Sequence, residues 1–382
     1  MKIDLPDEIG ALRPYTLKGT PVTAEPLGPD PARIVFSAAH VVADPFADGD
    51  PMGDPAVDWQ ATMAFRRHLA ELGLGIAEAM DTAQRGMGLD WPGAFELIQR
   101  TLAEVPDALI FSGAGTDQLD PTHAGSLEDV LSAYLEQVHA IQEIDGRIIL
   151  MASRALARVA RTPEEYVAVY GRVLEDADAP VILHWLGEMF DPALKGYWGS
   201  DRFEDALDTV VGIIADNQSK VDGIKISLLD KDKEIALRRR LPDGVKMYTG
   251  DDFNYPELIA GDDQGHSHAL LGIFDPLAPA AAKAVGQLGA GDVVGFRSTL
   301  DPTVPLARTI FRAPTQYYKT GVVFLAWLNG HQDHFVMLGG QQAVRSLPYF
   351  VTVFKQADAC GLLQNPDLAV ARMSELLAVY GA

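Results

Sequence analysis

Eight short, almost continuously apolar runs separated by longer amphipathic stretches most restrict the fold of this 382-residue sequence. Each run is bounded by polar residues or glycine, a pattern typical of strands that helices cover on both faces. The runs occupy residues 33–39, 75–80, 107–113, 147–153, 180–186, 221–227, 245–250 and 268–274. Eight such strand-then-helix units predict a closed (β/α)8 barrel, the TIM barrel.

An open, doubly wound α/β sheet is the alternative fold, because it has the same alternation of strands and helices. Such sheets often carry a Gly-x-Gly-x-x-Gly turn after the first strand, where it binds a dinucleotide. No such turn follows residues 33–39. The sequence therefore favours the barrel.

The two ends of the chain differ from this central pattern. Residues 1–32 are rich in proline, glycine and threonine without helical or strand periodicity, so we predict an irregular N-terminal arm. The barrel is predicted over residues 33–300. Beyond it the strand pattern stops, and residues 301–382 are predicted to form a helical extension. Its helical stretches occupy residues 315–329, 340–357 and 365–380.

Charge and cysteine content exclude several classes of partner and location. The chain has 31 basic and 53 acidic residues, a net charge of −22, which disfavours nucleic acid and anionic membranes as partners. No apolar run is long enough to span a membrane. The one cysteine, Cys360, cannot form an internal disulfide, and the first residues lack the apolar core of a signal peptide. We therefore expect a cytoplasmic protein.

Polar residues at the C-terminal ends of the predicted strands form the candidate site, because barrel enzymes place their reactive groups there. They follow or end the second, third, fourth, fifth and seventh runs. These residues are Asp81, Thr82, Gly115, Thr116, Arg154, His184 and Asp251.

Lys225 in the sixth run has the most distinctive chemistry. Side chains alternate along a strand, so Ile224 and Ile226 are predicted to face the surrounding helices and Lys225 the barrel centre. Burial disfavours the ammonium and lowers the pKa of a lysine, which makes the neutral amine available. A neutral amine attacks a carbonyl group to form an imine. A lysine whose ammonium extends from the strand end into solvent is the alternative interpretation.

Several motifs together resemble the dihydrodipicolinate synthase / N-acetylneuraminate lyase superfamily. They are Gly-Ile-Lys at 223–225, Gly-Asp-Asp at 250–252, Ala-Asp-Pro-Phe at 43–46, Val-Asp at 57–58 and Gly-Ala-Gly-Thr at 113–116. In that superfamily the lysine of the sixth barrel strand forms a Schiff base, and three helices follow the barrel. The resemblance implies a class I aldolase-type lyase with Lys225 as its reactive amine, assembled as a dimer or tetramer.

Two departures from the superfamily indicate a divergent branch. Its second strand usually ends in Gly-Thr-Thr-Gly-Glu, whose threonines hold a substrate carboxylate. Here residues 80–84 read Met-Asp-Thr-Ala-Gln, so only Thr82 remains, beside Asp81. The tyrosine that usually relays a proton after the fourth strand is missing from the Met-Ala-Ser-Arg-Ala of residues 151–155. Another group must then move the proton, or the chemistry differs.

The remaining polar candidates each have a functional and a structural interpretation. His184 can act as a general acid or base near neutral pH, or bond to a neighbouring loop. Asp81 can accept hydroxyl groups of a sugar-like substrate, or cap a helix. Arg154 can bind a carboxylate or phosphate, or form an ion pair over the barrel rim.

Two further loops complete the predicted site. Asp251, after the seventh strand, is predicted to shape its loop and contact substrate. Gly115 and Thr116 lie in a turn that either cradles an anion or is simply tight.

The sequence thus predicts a Schiff-base-forming lyase, of the aldolase or dehydratase type, acting on a keto acid or sugar-derived carbonyl compound. The polar candidates favour a sugar-derived substrate, and no cofactor or metal ion is expected. A metal-dependent isomerase or hydrolase and a catalytically inactive barrel stay open as alternatives. The candidate metal ligands are His40, Asp81, His184, His266 and His268.

Overall fold

The N-terminal segment forms an antiparallel hairpin in the computed structural model, which describes residues 1–50, 53 and 55–382. Strand β1 (Lys2–Pro6) pairs with β2 (Leu12–Thr16). Ile3 and Leu5 on β1 are buried in the main hydrophobic core. The sequence analysis did not predict this hairpin, because its alternation of polar and apolar residues is only one strand long. Irregular structure is confined to the part of the arm beyond the hairpin.

A buried carboxylate, that of Asp358, helps to attach the arm to the C-terminal part of the chain. The Tyr15 hydroxyl donates to Asp358 Oδ2 at 2.7 Å, and the Lys18 backbone N–H donates to the same oxygen at 2.9 Å. The arm therefore packs on the helical extension as part of one structure.

Eight parallel strands form a closed barrel, which confirms the predicted fold and excludes the open sheet. Each predicted apolar run coincides with one strand. They are β3 (Val35–Ala38), β4 (Gly75–Glu78), β5 (Ile110–Ala114), β6 (Arg147–Leu150), β7 (Val181–Leu186), β8 (Val221–Ser227), β9 (Lys246–Thr249) and β10 (His268–Leu271). Strand β5 ends one residue beyond its run. Strand β10 pairs with both β9 and β3 and so closes the ring.

Amphipathic helices surround the barrel and bury the outward side chains of its strands. They are α1 (Trp59–Glu71), α2 (Trp91–Glu104), α3 (Leu127–Gln142), α4 (Arg154–Val159), α5 (Pro163–Asp176), α6 (Phe203–Asp216), α7 (Lys231–Arg238), α8 (Tyr255–Ala260) and α9 (Ala278–Gly289). Polar caps set where several of these helices begin. Ser126, for example, accepts from the Asp129 backbone N–H, and the Asp129 side chain accepts in return from the Ser126 N–H.

Helices alone make up the regular structure after the barrel, as predicted for the C-terminal extension. They are α10 (Val293–Leu300), α11 (Val304–Ile310), α12 (Tyr318–Leu328), α13 (Leu347–Ala359) and α14 (Pro366–Val379). Every residue of α12 is buried, so this helix is the centre of the extension. Within the described residues, no helix has the length and apolar character needed to cross a membrane.

The strands divide their side chains between two environments, as the alternation along β8 predicted. Ile224 and Ile226 belong to the apolar layer between the strands and the outer helices. Phe36 and Tyr248 belong to a separate cluster inside the barrel. Lys225 lies between Ile224 and Ile226 in sequence and therefore points inward.

Gly250, at the end of β9, approaches the inward-facing part of β8 too closely for any side chain. A Cβ atom there would lie 2.3 Å from Ser227 Oγ, 2.7 Å from the Ile226 carbonyl oxygen and 2.9 Å from Lys225 Cε. The glycine therefore leaves the space that the lysine side chain occupies.

We expect Gly250→Ala to lower the free energy of unfolding by about 1–3 kcal/mol, because the added methyl group overpacks the barrel. Gly212→Ala is the matched control. A Cβ at Gly212 meets no atom within 4 Å, and the residue lies inside α6, where alanine is favoured over glycine by about 0.5–1 kcal/mol. Thermal unfolding of both variants checks the expectation. A Gly250→Ala protein as stable as the original would contradict it.

Candidate active site

Lys225 is the centre of the polar cluster inside the barrel. Its position on β8 is in register with His184 on β7 and Tyr248 on β9. The residue is only 7% exposed. Burial lowers the pKa of Lys225 below its usual value, while the negative charges of Asp252 and Asp81 oppose that shift. The structure thus provides a desolvated amine with two carboxylates in electrostatic range.

Asp252 is the carboxylate with the larger effect on Lys225. It is buried, and its Oδ1 accepts from the Ile273 backbone N–H at 2.9 Å. Burial raises the pKa of Asp252 to about 7, although the charge of Lys225 acts in the opposite direction. The sequence analysis includes this residue only as part of the Gly-Asp-Asp motif.

Asp251, the predicted substrate-binding residue, is engaged elsewhere. Its Oδ1 accepts from the Phe253 backbone N–H at 2.8 Å, and its Oδ2 accepts from Asn254 Nδ2, also at 2.8 Å. The side chain shapes the turn that leads into α8. The charge of Asp252 therefore acts on Lys225, whereas Asp251 is engaged in the loop, so substrate binding by Asp251 stays a prediction.

His184 lies beside the lysine in a neutral state. Its Nε2 is 3.2 Å from Ser227 Oγ. Burial holds the pKa of His184 well below its usual value, and the positive charge of Lys225 lowers it further. A neutral imidazole can accept a proton or exchange one through the serine hydroxyl. The structure thus brings together the two predicted catalytic side chains.

The loop after β4 meets the helical extension over the barrel. Thr82 Oγ1 is 2.8 Å from the Tyr318 hydroxyl at the start of α12, so the threonine already has a hydrogen-bond partner. Asp81 lies beside it, and its charge acts on both Lys225 and Tyr318. A tyrosine hydroxyl from the helical extension therefore lies at this site. The stretch after the fourth strand, where the superfamily usually has its relay tyrosine, has none.

The loops after β5 and β6 form the wall next to the loop after β4. Gly115 donates its backbone N–H to Gln137 Oε1 at 2.6 Å, and Thr116 Oγ1 is 2.6 Å from Ser153 Oγ. The Gly115 N–H is thus engaged within the protein. Arg154 pairs with Asp191 over the barrel rim, which agrees with its structural interpretation.

Two adjacent cavities open among these loops. The first has a volume of about 260 Å³ and contacts the candidate residues Asp81, Gly115, Thr116, Arg154 and His184. The second has a volume of about 230 Å³ and extends beneath α12. Residues common to both walls are Asp81, Arg85, Arg154, Leu186 and Asp191.

Sequence reasoning missed two residues of the second cavity, Tyr318 and Lys319. Both are buried, and burial lowers the pKa of Lys319 to about 8. One feature of the sequence marks these two residues, because the polar residues 317–320 directly precede the apolar run of α12. It gave no indication that this end of the helix faces the barrel.

The alternative set of metal ligands is not brought together. His268 Nδ1 accepts from the Ile34 backbone N–H at 3.0 Å, which places it at the N-terminal end of the barrel, opposite the site. His40 is buried 2.8 Å from Asp275. Among the described residues, no group of three or more His, Cys, Asp or Glu side chains is arranged to hold a metal ion.

Comparison with solved structures identifies the same fold in dihydrodipicolinate synthases. The chain aligns with such a protein from Thermotoga maritima at 18% identity and a TM-score of 0.65, covering 87% of this chain and 99% of that one. A putative dihydrodipicolinate synthetase from Pseudomonas aeruginosa gives 16% identity, a TM-score of 0.65 and coverage of 87% and 98%. The Acinetobacter baumannii synthase, solved with pyruvate, aligns at 17% identity and a TM-score of 0.65, covering 86% of this chain and 99% of that one.

Sequence comparison gives the family. No curated protein matches the sequence. One family model, described as a protein of unknown function (DUF993), matches residues 3–382. This match spans the arm, the barrel and the extension. The chain therefore belongs to the DUF993 family, and its fold is that of the dihydrodipicolinate synthases.

Proposed function

We propose that the protein is a Schiff-base-forming lyase, of the aldolase or dehydratase type, which acts on a keto acid or a sugar-derived carbonyl compound through Lys225. One observation carries the proposal. The amine of Lys225 is buried at the centre of the barrel beside Asp252, and desolvation lowers its pKa. A lysine with no chemical role would leave a desolvated ammonium inside the barrel at a substantial cost in free energy.

The proposed first step is imine formation. The neutral Nζ of Lys225 attacks the carbonyl carbon, the carbonyl oxygen leaves as water after receiving two protons, and a C=N bond to Nζ remains. The protonated imine then accepts the electron pair released when a neighbouring C–C or C–O bond breaks. Burial by the surrounding loops favours this step, because the attacking amine must be unprotonated.

Three groups near Lys225 can move the protons. His184 is neutral and bonded to Ser227, Asp252 has a pKa close to neutrality, and the Tyr318 hydroxyl is paired with Thr82. We propose that Asp252 and His184 exchange protons with the reacting atoms. The Tyr318 hydroxyl occupies the side of the site formed by the extension and is the candidate replacement for the missing relay tyrosine.

The first cavity supports a small substrate with several polar groups. Its volume of about 260 Å³ holds a molecule of a few carbon atoms, and hydroxyl, carboxylate and guanidinium groups line it. The Acinetobacter baumannii structure contains pyruvate, which is a keto acid. We extend that substrate class to this chain, with sugar-derived carbonyl compounds as its second member. We further propose a cytoplasmic homo-oligomer, a dimer or tetramer, as the working form.

Borohydride trapping tests the proposal directly. A panel of keto acids and keto sugars is mixed with the protein, reduced with borohydride, and analysed by peptide mass spectrometry. We expect a mass gain on the peptide that contains Lys225 and none in Lys225→Met. Lys246→Met is the control and should label normally, because Lys246 lies at the start of β9 and pairs with Asp222 at 2.8 Å. No adduct at Lys225 with any compound, while a known aldolase labels in parallel, would refute imine chemistry.

The pH dependence of trapping tests the electrostatic part of the proposal. Labelling should rise with pH as the ammonium loses its proton, with a midpoint below the usual lysine pKa of about 10.4 because Lys225 is desolvated. The negative charge of Asp252 stabilises the ammonium, so Asp252→Asn should move this midpoint to lower pH. Asp251→Asn removes the same charge one residue away and should move it less. A midpoint that Asp252→Asn leaves unchanged or raises would contradict the assignment.

A further inference from the structure

We infer that the helical extension forms an anion-binding subsite next to the Lys225 site, and that the substrate carries a carboxylate or phosphate remote from its carbonyl group. This inference rests on the proposed function and narrows its substrate class. It starts from Lys319, the second residue of α12, which is only 4% exposed and contacts the second cavity.

The ammonium of Lys319 has no carboxylate partner among the described residues. Its Nζ donates to the Gln316 carbonyl oxygen at 3.0 Å and lies 3.5 Å from Met87 Sδ. It also lies 4.6 Å from the centre of the Tyr318 ring. These neutral contacts hold the amine in place without neutralising it. The charges of Asp81 and Asp191 act on this ammonium without forming an ion pair with it, so the cost of its burial is only partly offset. An anionic ligand would remove more of that cost while gaining a charge-assisted hydrogen bond.

The other cations of the cavity are already neutralised. Arg154 pairs with Asp191, and Arg85 pairs with Asp117 at 2.7 Å. Lys319 is therefore the cation on this wall that remains for a ligand. Its lowered pKa, about 8, leaves it mostly protonated at neutral pH, and a bound anion would raise that pKa.

The position of this amine fits a substrate that is attached to Lys225. Asp81 lies on the wall common to both cavities, and its charge acts on both lysines. Lys225 is in register with His184, which lines the first cavity, so a molecule that is bound to Lys225 and extends past Asp81 would reach the second. There the side chains of Gln316 and Gln341 line the same space and can add amide donors to an anion.

Matched pairs of carbonyl compounds test the subsite. One pair is 2-oxopentanoate and 2-oxoglutarate, which differ by a remote carboxylate. The other is dihydroxyacetone and its phosphate. The measurement is the concentration that gives half-maximal borohydride labelling of Lys225. We expect the compound with the remote anion to label at about tenfold lower concentration in at least one pair, the value of one charged contact of about 1.4 kcal/mol. The pair that responds identifies the anion.

Lys319→Met should abolish this difference, so that the two members of the pair label Lys225 at similar concentrations. Lys195→Met, which removes an exposed lysine near the site, should preserve the difference. The anion subsite is refuted if the two members of each pair label the original protein at the same concentration, or if they still differ in Lys319→Met. Labelling of Lys225 would still support the imine in either case.

A binding measurement separates failure of the subsite from failure of the proposed function. Glutarate and inorganic phosphate have no ketone or aldehyde and cannot form an imine, so calorimetric titration with them reports the anion site alone. We expect binding of at least one, lost in Lys319→Met and kept in Lys195→Met. Binding of neither, or equal binding to the Lys319→Met protein, would overturn the inference whether or not Lys225 is labelled.

Discussion

The desolvation of one amine inside the barrel is the constraint on which the candidate site depends. Lys225 is surrounded by strands, and a glycine at position 250 leaves the space that its side chain needs. Asp252 and Asp81 counter the cost of burial without forming an ion pair with it. Burial lowers the pKa of Lys225, and the two carboxylates limit that decrease. The same burial keeps His184 neutral, so two proton acceptors can coexist beside the lysine.

The helical extension contributes to the site as well as to the core. Helix α12 is buried along its whole length, and its first turn carries the Tyr318 hydroxyl and the Lys319 amine to the mouth of the barrel. The N-terminal hairpin packs against the same extension through Asp358. Because these contacts connect both ends of the chain with the barrel mouth, changes in the extension are expected to affect the chemistry of the site.

The sequence differs from the resembled superfamily in loops at the mouth of the barrel. Asp81 stands where that superfamily usually has a threonine, and the tyrosine after its fourth strand is missing. Thr82, the remaining threonine, bonds to Tyr318. The Tyr318 hydroxyl and the Lys319 amine of α12 are therefore present at the site from which the usual threonine and tyrosine of the superfamily are missing.

The sequence by itself determined the eight strands, the inward direction of Lys225 and the presence of helices after the barrel. These features follow from periodicity, which depends only on residues close together in the chain. Periodicity also placed His184 and Lys225 at strand ends, although it could not show that they are neighbours in register.

Only the tertiary structure decided which residues of distant loops meet. It placed Asp252 within electrostatic range of Lys225 while Asp251 shaped a turn, and it brought Tyr318 and Lys319 to the mouth of the barrel. The physical reason is that loop side chains follow no period, so their direction depends on packing between segments far apart in the chain. The short hairpin of the arm was missed for a different reason, because its alternation of polar and apolar residues is only one strand long.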